Sequence, residues 1–268
     1  MTADPVRGCS ACGSYAVVLH RTRADVAHDL GRTRAWGHKL LQAHAADVFR
    51  CADCGSLFRA PAHLTEVVDR YRDDTYGSAE LARLHGVETA SCLRERDWLA
   101  AHGLRRGAHI LEVGSYVGGL LAVADRAGCA ATGIDVGRET SQFARSLGFD
   151  VLTGPLEAHH FPDAGFDAVF VLNCFEQLPD PAATLAEVRR VLRDDGSLVI
   201  RTPDADFVRA AHAPAVRGIA GRTGVLGVPF VRCLSSRALD AMLRAGHFHP
   251  VASRGLGEPW MQVAARAA

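Results

Sequence analysis

The stretch His109–Asp135 constrains this chain more than any other. Ile110, Leu111 and Val113 form a short apolar run, the pattern of a strand buried on both faces. Gly114 stops the run, and Gly118 and Gly119 precede an apolar-periodic helix through Leu120, Leu121, Val123 and Ala124. Gly128 stands where a helix ends in a left-handed cap. Ala131–Ile134 reads as a second strand, which ends on Asp135. Strand, glycine turn, helix, strand and acid describe one nucleotide-binding βαβ half of an α/β protein.

The glycine spacing selects among nucleotides. A dinucleotide fingerprint needs G-x-G-x-x-G, so that backbone N–H groups meet a pyrophosphate at the helix N-terminus. Tyr116 occupies the second glycine position, and the other glycines do not fit that spacing. Acid-x-Gly-x-x-x-Gly, written here as Glu112, Gly114 and Gly118, instead resembles motif I of class I S-adenosylmethionine-dependent methyltransferases. The resemblance implies a Rossmann-like seven-stranded sheet. It also implies that Glu112 orients the turn and the methionine ammonium, that Asp135 accepts from the ribose, and that Ser115, Tyr116 and Val136 line the cofactor.

Further segments fit the same family in the expected order. Gly154–Asp167, before the apolar strand Ala168–Leu172, resembles the adenine-side loop. Pro155 replaces the frequent aspartate there, which leaves Leu156 and Glu157 to meet the base. Asn173–Pro181 is similar to the family's L-E-H-L-x-D-P stretch, with Gln177 where histidine is frequent. A glutamine cannot take a proton, so the general-base role at that position is not carried over. Asn173 joins the cofactor set, and Tyr76, in the aromatic segment Tyr71–Gly77, corresponds to a cofactor cover in the family, with plain aromatic packing of Tyr71 and Tyr76 as the alternative. Leu185, Val188 and Leu192 mark a helix over Ala182–Leu192, and Ser197–Thr202 reads as the fifth strand. His212, His159 and Asp204 are the acid–base candidates, set against the ordinary fate of loop histidines as solvated groups.

Of the eight cysteines, Cys9-Ser-Ala-Cys12-Gly13 and Cys51-Ala-Asp-Cys54-Gly55 form two C-x-x-C-G knuckles. Two intervening residues let both thiolates of a pair reach one tetrahedral ion, and two pairs make a site of zinc-ribbon type. Structural zinc is the expected occupant; a redox dithiol and a catalytic zinc are the other uses of this spacing. The insert between the knuckles, with His20, His28, His38 and His44, should form loops or a short hairpin. Cys92, Cys129, Cys174 and Cys233 show no ligand spacing and read as packing residues.

The resulting map is a zinc-ribbon module over 1–62, a helical linker and cofactor cap over 63–105, and a methyltransferase domain over 106–268. A glycine- and arginine-rich lid insert is expected at about 204–237, where Arg209, Arg217, Arg222 and Arg232 could grip an anionic acceptor. Thirty basic residues balance thirty acidic ones, which argues against a nucleic-acid partner. No stretch approaches a membrane span and MTADPVRG lacks a signal-peptide core, so a cytoplasmic protein is expected. The reading that follows is a methyltransferase of small molecules, acting on a sugar or natural-product scaffold, with O-methylation favoured. A zinc-module ribosomal RNA base methyltransferase and a non-catalytic binder on a decayed fold are the alternatives.

Overall fold

The computed structural model describes residues 8–26, 46–59, 72, 75–211, 231–256 and 260–268. His28, His38, His44, Tyr71, His212, Arg217 and Arg222 lie outside the described residues. The chain divides into two compact units. One is drawn from Met1–Val68, Thr202–Met242 and Arg254–Gln262, the other from Asp69–Arg201, Leu243–Ser253 and Val263–Ala268. No helix among the described residues is long and apolar enough to cross a membrane.

A seven-stranded sheet carries the α/β architecture. Its strands are β4 (His109–Val113), β5 (Ala130–Asp135), β6 (Asp150–Thr153), β7 (Phe166–Leu172), β8 (Leu192–Pro203), β10 (Phe248–Gly255) and β11 (Trp260–Ala267). The order is β10-β11-β8-β7-β4-β5-β6, with β4 parallel to both β5 and β7. Chain order therefore reverses between β4 and β7, and the carboxyl ends of such neighbours form the crevice where α/β sheets bind ligands. Ile110, Leu111, Phe170 and Val199 are fully buried in the strands, as their continuous apolar runs require.

The helices follow the periodicities with two differences. α3 (Gly119–Ala127) and α4 (Arg138–Ser146) follow β4 and β5, and α5 (Pro181–Val191) leads into β8. Gly128 adopts φ +77° and caps α3, as its position predicted. The helical linker expected over 63–105 is two helices among its described residues: α1 (Ser78–Arg94) and α2 (Arg96–Ala101). Glu95 separates them, with φ −104° and ψ 6° outside the helical well. β8 also runs longer than the expected Ser197–Thr202, beginning at Leu192.

The other unit holds a four-stranded sheet of order β1-β2-β3-β9, from β1 (Val17–Arg21), β2 (Val48–Cys51), β3 (Leu57–Arg59) and β9 (Arg232–Cys233). β1 and β2 are antiparallel, the hairpin expected for the insert, with a register shift between Leu19 and Arg21. The segment after β8 departs from its expected use as a lid within a 106–268 domain. Leu57 pairs with Cys233 and Phe58 with Arg232, which makes β9 a strand of the knuckle sheet. Ser235 reinforces the join: its Oγ donates to the Cys54 carbonyl at 2.5 Å, and its N–H donates to Ser56 Oγ at 3.1 Å. α6 (Ala205–Ala211) and α7 (Ser236–Ala245) complete the described part of this segment.

Candidate active site

The glycine turn is built by backbone groups that only certain conformations can present. Gly114 and Gly118 take φ +79° and +77°, and Tyr116 between them takes φ +47°. A non-glycine residue in the left-handed region costs of order 1 to 3 kcal/mol and persists only where its surroundings fix it. They do so here. The Gly114 and Ser115 amides donate to the Ile134 carbonyl at 2.8 and 2.9 Å, and the Tyr116 amide donates to Asp135 Oδ2 at 2.8 Å.

Asp135 thus organises the turn from the end of β5. Its Oδ1 also accepts from the Gly137 amide at 2.8 Å and from Thr140 Oγ1 at 3.0 Å. Burial pushes its pKa up, while the bonds from Gly137, Tyr116 and Thr140 oppose that shift. A carboxylate offers about four acceptor positions, so these bonds leave capacity for one more donor.

Glu112 lies one strand away and is 5 % exposed. Its Oε2 is buried with no hydrogen-bond partner among the described residues. Its pKa stands well above the usual carboxylate range, because of burial first and then the negative charges of Glu88 and Asp135; Arg201 opposes these. Such an oxygen is costly to leave alone, and a cationic donor is the group that best offsets the cost.

Asn173 follows β7 and takes φ +60°. Its amide donates to the Arg201 carbonyl at 2.8 Å, and Arg201 Nε donates to its Oδ1 at 2.7 Å. Gln177 Nε2 donates to the Asn173 carbonyl at 3.0 Å, so the residue standing in for the family's histidine serves this turn. Next to it, the Cys174 thiol donates to the Val113 carbonyl at 3.0 Å. A Cβ on Gly114 would stand 2.5 Å from that sulfur, which leaves no space for a side chain there.

The remaining expected cofactor residues fall around this turn. Gly154 donates to the Asp135 carbonyl at 2.9 Å, which brings the 154–158 loop beside β5. Leu156 is buried at the start of a single 3-10 turn, and Val136 is half-buried. Glu157 is engaged elsewhere, since its Oε1 accepts from Thr184 Oγ1 of α5 at 2.6 Å. The Ser115 hydroxyl is buried without a partner among the described residues, at 2.7 Å from where a Cβ on Gly133 would lie. The Tyr76 ring meets Tyr116 edge-on at 6.2 Å, and its amide donates to Glu139 Oε2 at 2.6 Å.

The acid–base candidates are placed differently. Asp204 Oδ1 accepts from the Asp206 and Phe207 amides at 2.8 and 3.2 Å, which is a helix N-cap rather than a proton-transfer position. His159 packs under Gly154, with its Nε2 3.2 Å from where a Cβ on that glycine would lie. Arg209, expected to face an acceptor, instead donates to Asp206 Oδ1 at 2.6 Å and lies against Gly55, while Arg232 is buried in β9. Sequence reasoning missed a buried network. Arg201 Nη1 donates to Glu95 Oε1 at 2.8 Å and to Ser91 Oγ at 3.3 Å, with Glu88 4.0 Å from Nη2. A single arginine inside the apolar run of β8 was the available signal.

The four knuckle thiols converge in the other unit. Cys9 and Cys54 sulfurs are 3.7 Å apart, Cys12 and Cys51 sulfurs 3.6 Å, and all four lie within 4.8 Å of one another. Tetrahedral zinc with bonds of about 2.3 Å holds its sulfurs roughly 3.8 Å apart, so the donor set fits that ion. Cys54 is pulled down to about 4 by hydrogen bonds, first from Cys9 and then from Ser56, and Cys9 is pushed up by Cys54 and by burial. Thiolate character of that kind suits a metal ligand.

Residues 111–200 match the family described as a methyltransferase domain. A demethylmenaquinone methyltransferase of Tropheryma whipplei (strain Twist) is 30% identical over 121 residues, covering 41% of this chain and 49% of that protein. A ubiquinone biosynthesis O-methyltransferase of Aeromonas salmonicida is 31% identical over 115 residues, covering 40% and 48%. The chain thus spans about half the length of these curated relatives. Among solved structures, a SAM-dependent methyltransferase from Aquifex aeolicus superposes with a TM-score of 0.54 at 19% identity, over 72% of this chain and 100% of the other. The fold is that of class I methyltransferases. The chain carries a class I S-adenosylmethionine-dependent methyltransferase domain.

Proposed function

We propose that this protein methylates a hydroxyl of a small-molecule acceptor, using S-adenosylmethionine bound over the Gly114–Gly118 turn. The Glu112 Oε2 near the carboxyl end of β4, buried with no partner among the described residues, carries this reading, because a buried carboxyl beside the glycine turn is suited to a cationic donor such as the methionine ammonium. Glu112 holds the methionine ammonium. Asp135 receives a ribose hydroxyl on its remaining acceptor position, and Leu156 and Val136 flank the adenine. The bound cofactor supplies an electrophilic methyl group, so the chain's own task is alignment of the acceptor, which is worth about 7 to 11 kcal/mol of barrier. Cys9, Cys12, Cys51 and Cys54 hold a structural zinc ion.

The O-methyltransferase relative and the balanced charge support a small hydroxylated acceptor over RNA. The positions of Arg209 and Arg232 remove two of the four arginines that would have favoured an anionic one. The test has two stages. Calorimetry should show binding of S-adenosylmethionine, and release of S-adenosylhomocysteine is then screened against phenols, nucleotide sugars, amines and ribosomal RNA. Release driven by RNA alone would replace this reading with the base-methyltransferase one. Absence of cofactor binding would leave a non-catalytic domain.

A further inference from the structure

The stretch that leads into α1 is fastened at two points. Thr75, Gly77 and Ser78 are exposed, while Tyr76 among them is half-buried. Its amide donates to Glu139 Oε2 at 2.6 Å, across 63 residues of sequence. Its ring meets Tyr116 edge-on, with the two planes at 77°. Both rings, and Phe143 of α4, pack against a buried cluster of Leu81, Leu84 and Val117.

Glu139 has an ordinary use and a particular one. An acid in the first turn of a helix complements the helix dipole, and Glu139 is the acid in the first turn of α4. That use needs only a charge. A charge-assisted bond to one N–H needs an oxygen at one place, and this bond reaches a different element of the fold.

The two fastenings fall on either side of one carboxylate. Asp135 Oδ2 accepts from the Tyr116 amide, and its Oδ1 accepts from the Gly137 amide and the Thr140 hydroxyl at the start of α4. Tyr76 is held by Tyr116 and by Glu139, the neighbour of Thr140. The contacts close a ring from the glycine turn through Asp135 and α4 to Tyr76, and back to the turn. Residues 75–77 thus bridge the two elements that grip Asp135, whose carboxylate has an acceptor position left for a ligand.

We propose that Glu139 is a positioning residue: by holding the Tyr76 amide it keeps residues 75–77 across this bridge, and so sets how long a nucleoside bound at Asp135 stays. The inference rests on the cofactor reading given above and concerns release, not a further contact to the ligand.

Surface plasmon resonance with S-adenosylhomocysteine and methylthioadenosine tests it, since both ligands carry the ribose. Glu139→Ala removes the acceptor and the charge together. Both ligands should then leave about tenfold faster, with association no slower than in wild type. Glu139→Gln removes the charge but keeps a carbonyl oxygen, so dissociation should return to within about threefold of wild type. If glutamine were as damaging as alanine, Glu139 would serve only the dipole of α4, and the proposal would be overturned. Tyr76→Ala keeps the amide and takes the ring from Tyr116. Ring and amide hold one bridge, so the double variant should release ligand about as fast as the faster single one. Single effects that multiply in the double variant would mean two independent contacts and would overturn the proposal. A wild-type dissociation rate in Glu139→Ala would overturn it too. Wild-type protein that binds neither ligand would sink the cofactor reading itself, a distinct result.

Discussion

Glu112 is buried near the end of β4 with an oxygen that meets no donor among the described residues, and its free energy depends on what else is bound. Its carboxyl is ordinarily half-ionised near 4.5, and burial raises that value in the folded protein. The folded state then holds the proton more tightly than the unfolded chain does. The stability this contributes is fully present below the unfolded value and is lost as pH rises through the folded one. Glu88 is shifted the same way by its own burial, with Arg201 opposing. Replacing Glu112 with glutamine removes this pH penalty and also removes the anion meant for the ammonium. Glu112→Gln should melt higher than wild type, by a margin that widens from about pH 5 to about pH 8, while binding S-adenosylhomocysteine more weakly. Thermal unfolding across that range checks the first part, and calorimetry the second. A constant margin would mean that folding does not raise the Glu112 pKa.

At the scale of elements, α1 and α3 approach so closely that their contact admits only glycine. A Cβ on Gly119 would lie 2.5 Å from Glu88 Cβ and 2.9 Å from the Thr89 nitrogen, which is backbone and cannot step aside. Gly119→Ala should therefore destabilise the fold by about 1 to 3 kcal/mol, and shift Glu88, the α1 carboxylate 4.0 Å from Arg201 Nη2. Differential scanning calorimetry reads the loss; an unchanged melting temperature would show that the helices separate freely. This contact also marks where the sequence stopped being legible. The glycines of the β4–α3 turn, Asp135 and the apolar strands were readable, because turn geometry and burial impose local patterns. The start of α1 was not, because its buried positions Leu81, Leu84, Thr89 and Cys92 mix apolar and polar types and hide the helical period. Arg201 was passed over for a related reason. Its partners Ser91 and Glu95 are 110 and 106 residues away, and no local pattern connects them.

For the whole molecule, the least legible feature was the allegiance of the segment after β8. The glycine and arginine content of residues 204–237 suggested a lid, yet β9 pairs with β3 and places part of that segment in the unit of the knuckles. A two-residue strand has too little pattern to declare its partner, and the pairing spans the greater part of the chain. A consequence follows for the metal. Cys54 and Ser56 lie between β2 and β3, and Ser235 is bonded to both, so the knuckle and the β9 segment share one hydrogen-bonded frame. Metal analysis of purified protein should find about one zinc per chain, lost in a Cys51→Ser, Cys54→Ser double variant. Structural zinc contributes directly to the stability of the fold around it, so that variant should open both the knuckles and the 202–242 segment. Limited proteolysis is the measurement. Cleavage in the double variant should rise together near the N-terminus and within 202–242, while 111–200 stays protected. If cleavage rose only at the knuckles, the β3–β9 pairing would be stable without metal, and the two segments would not form one cooperative unit.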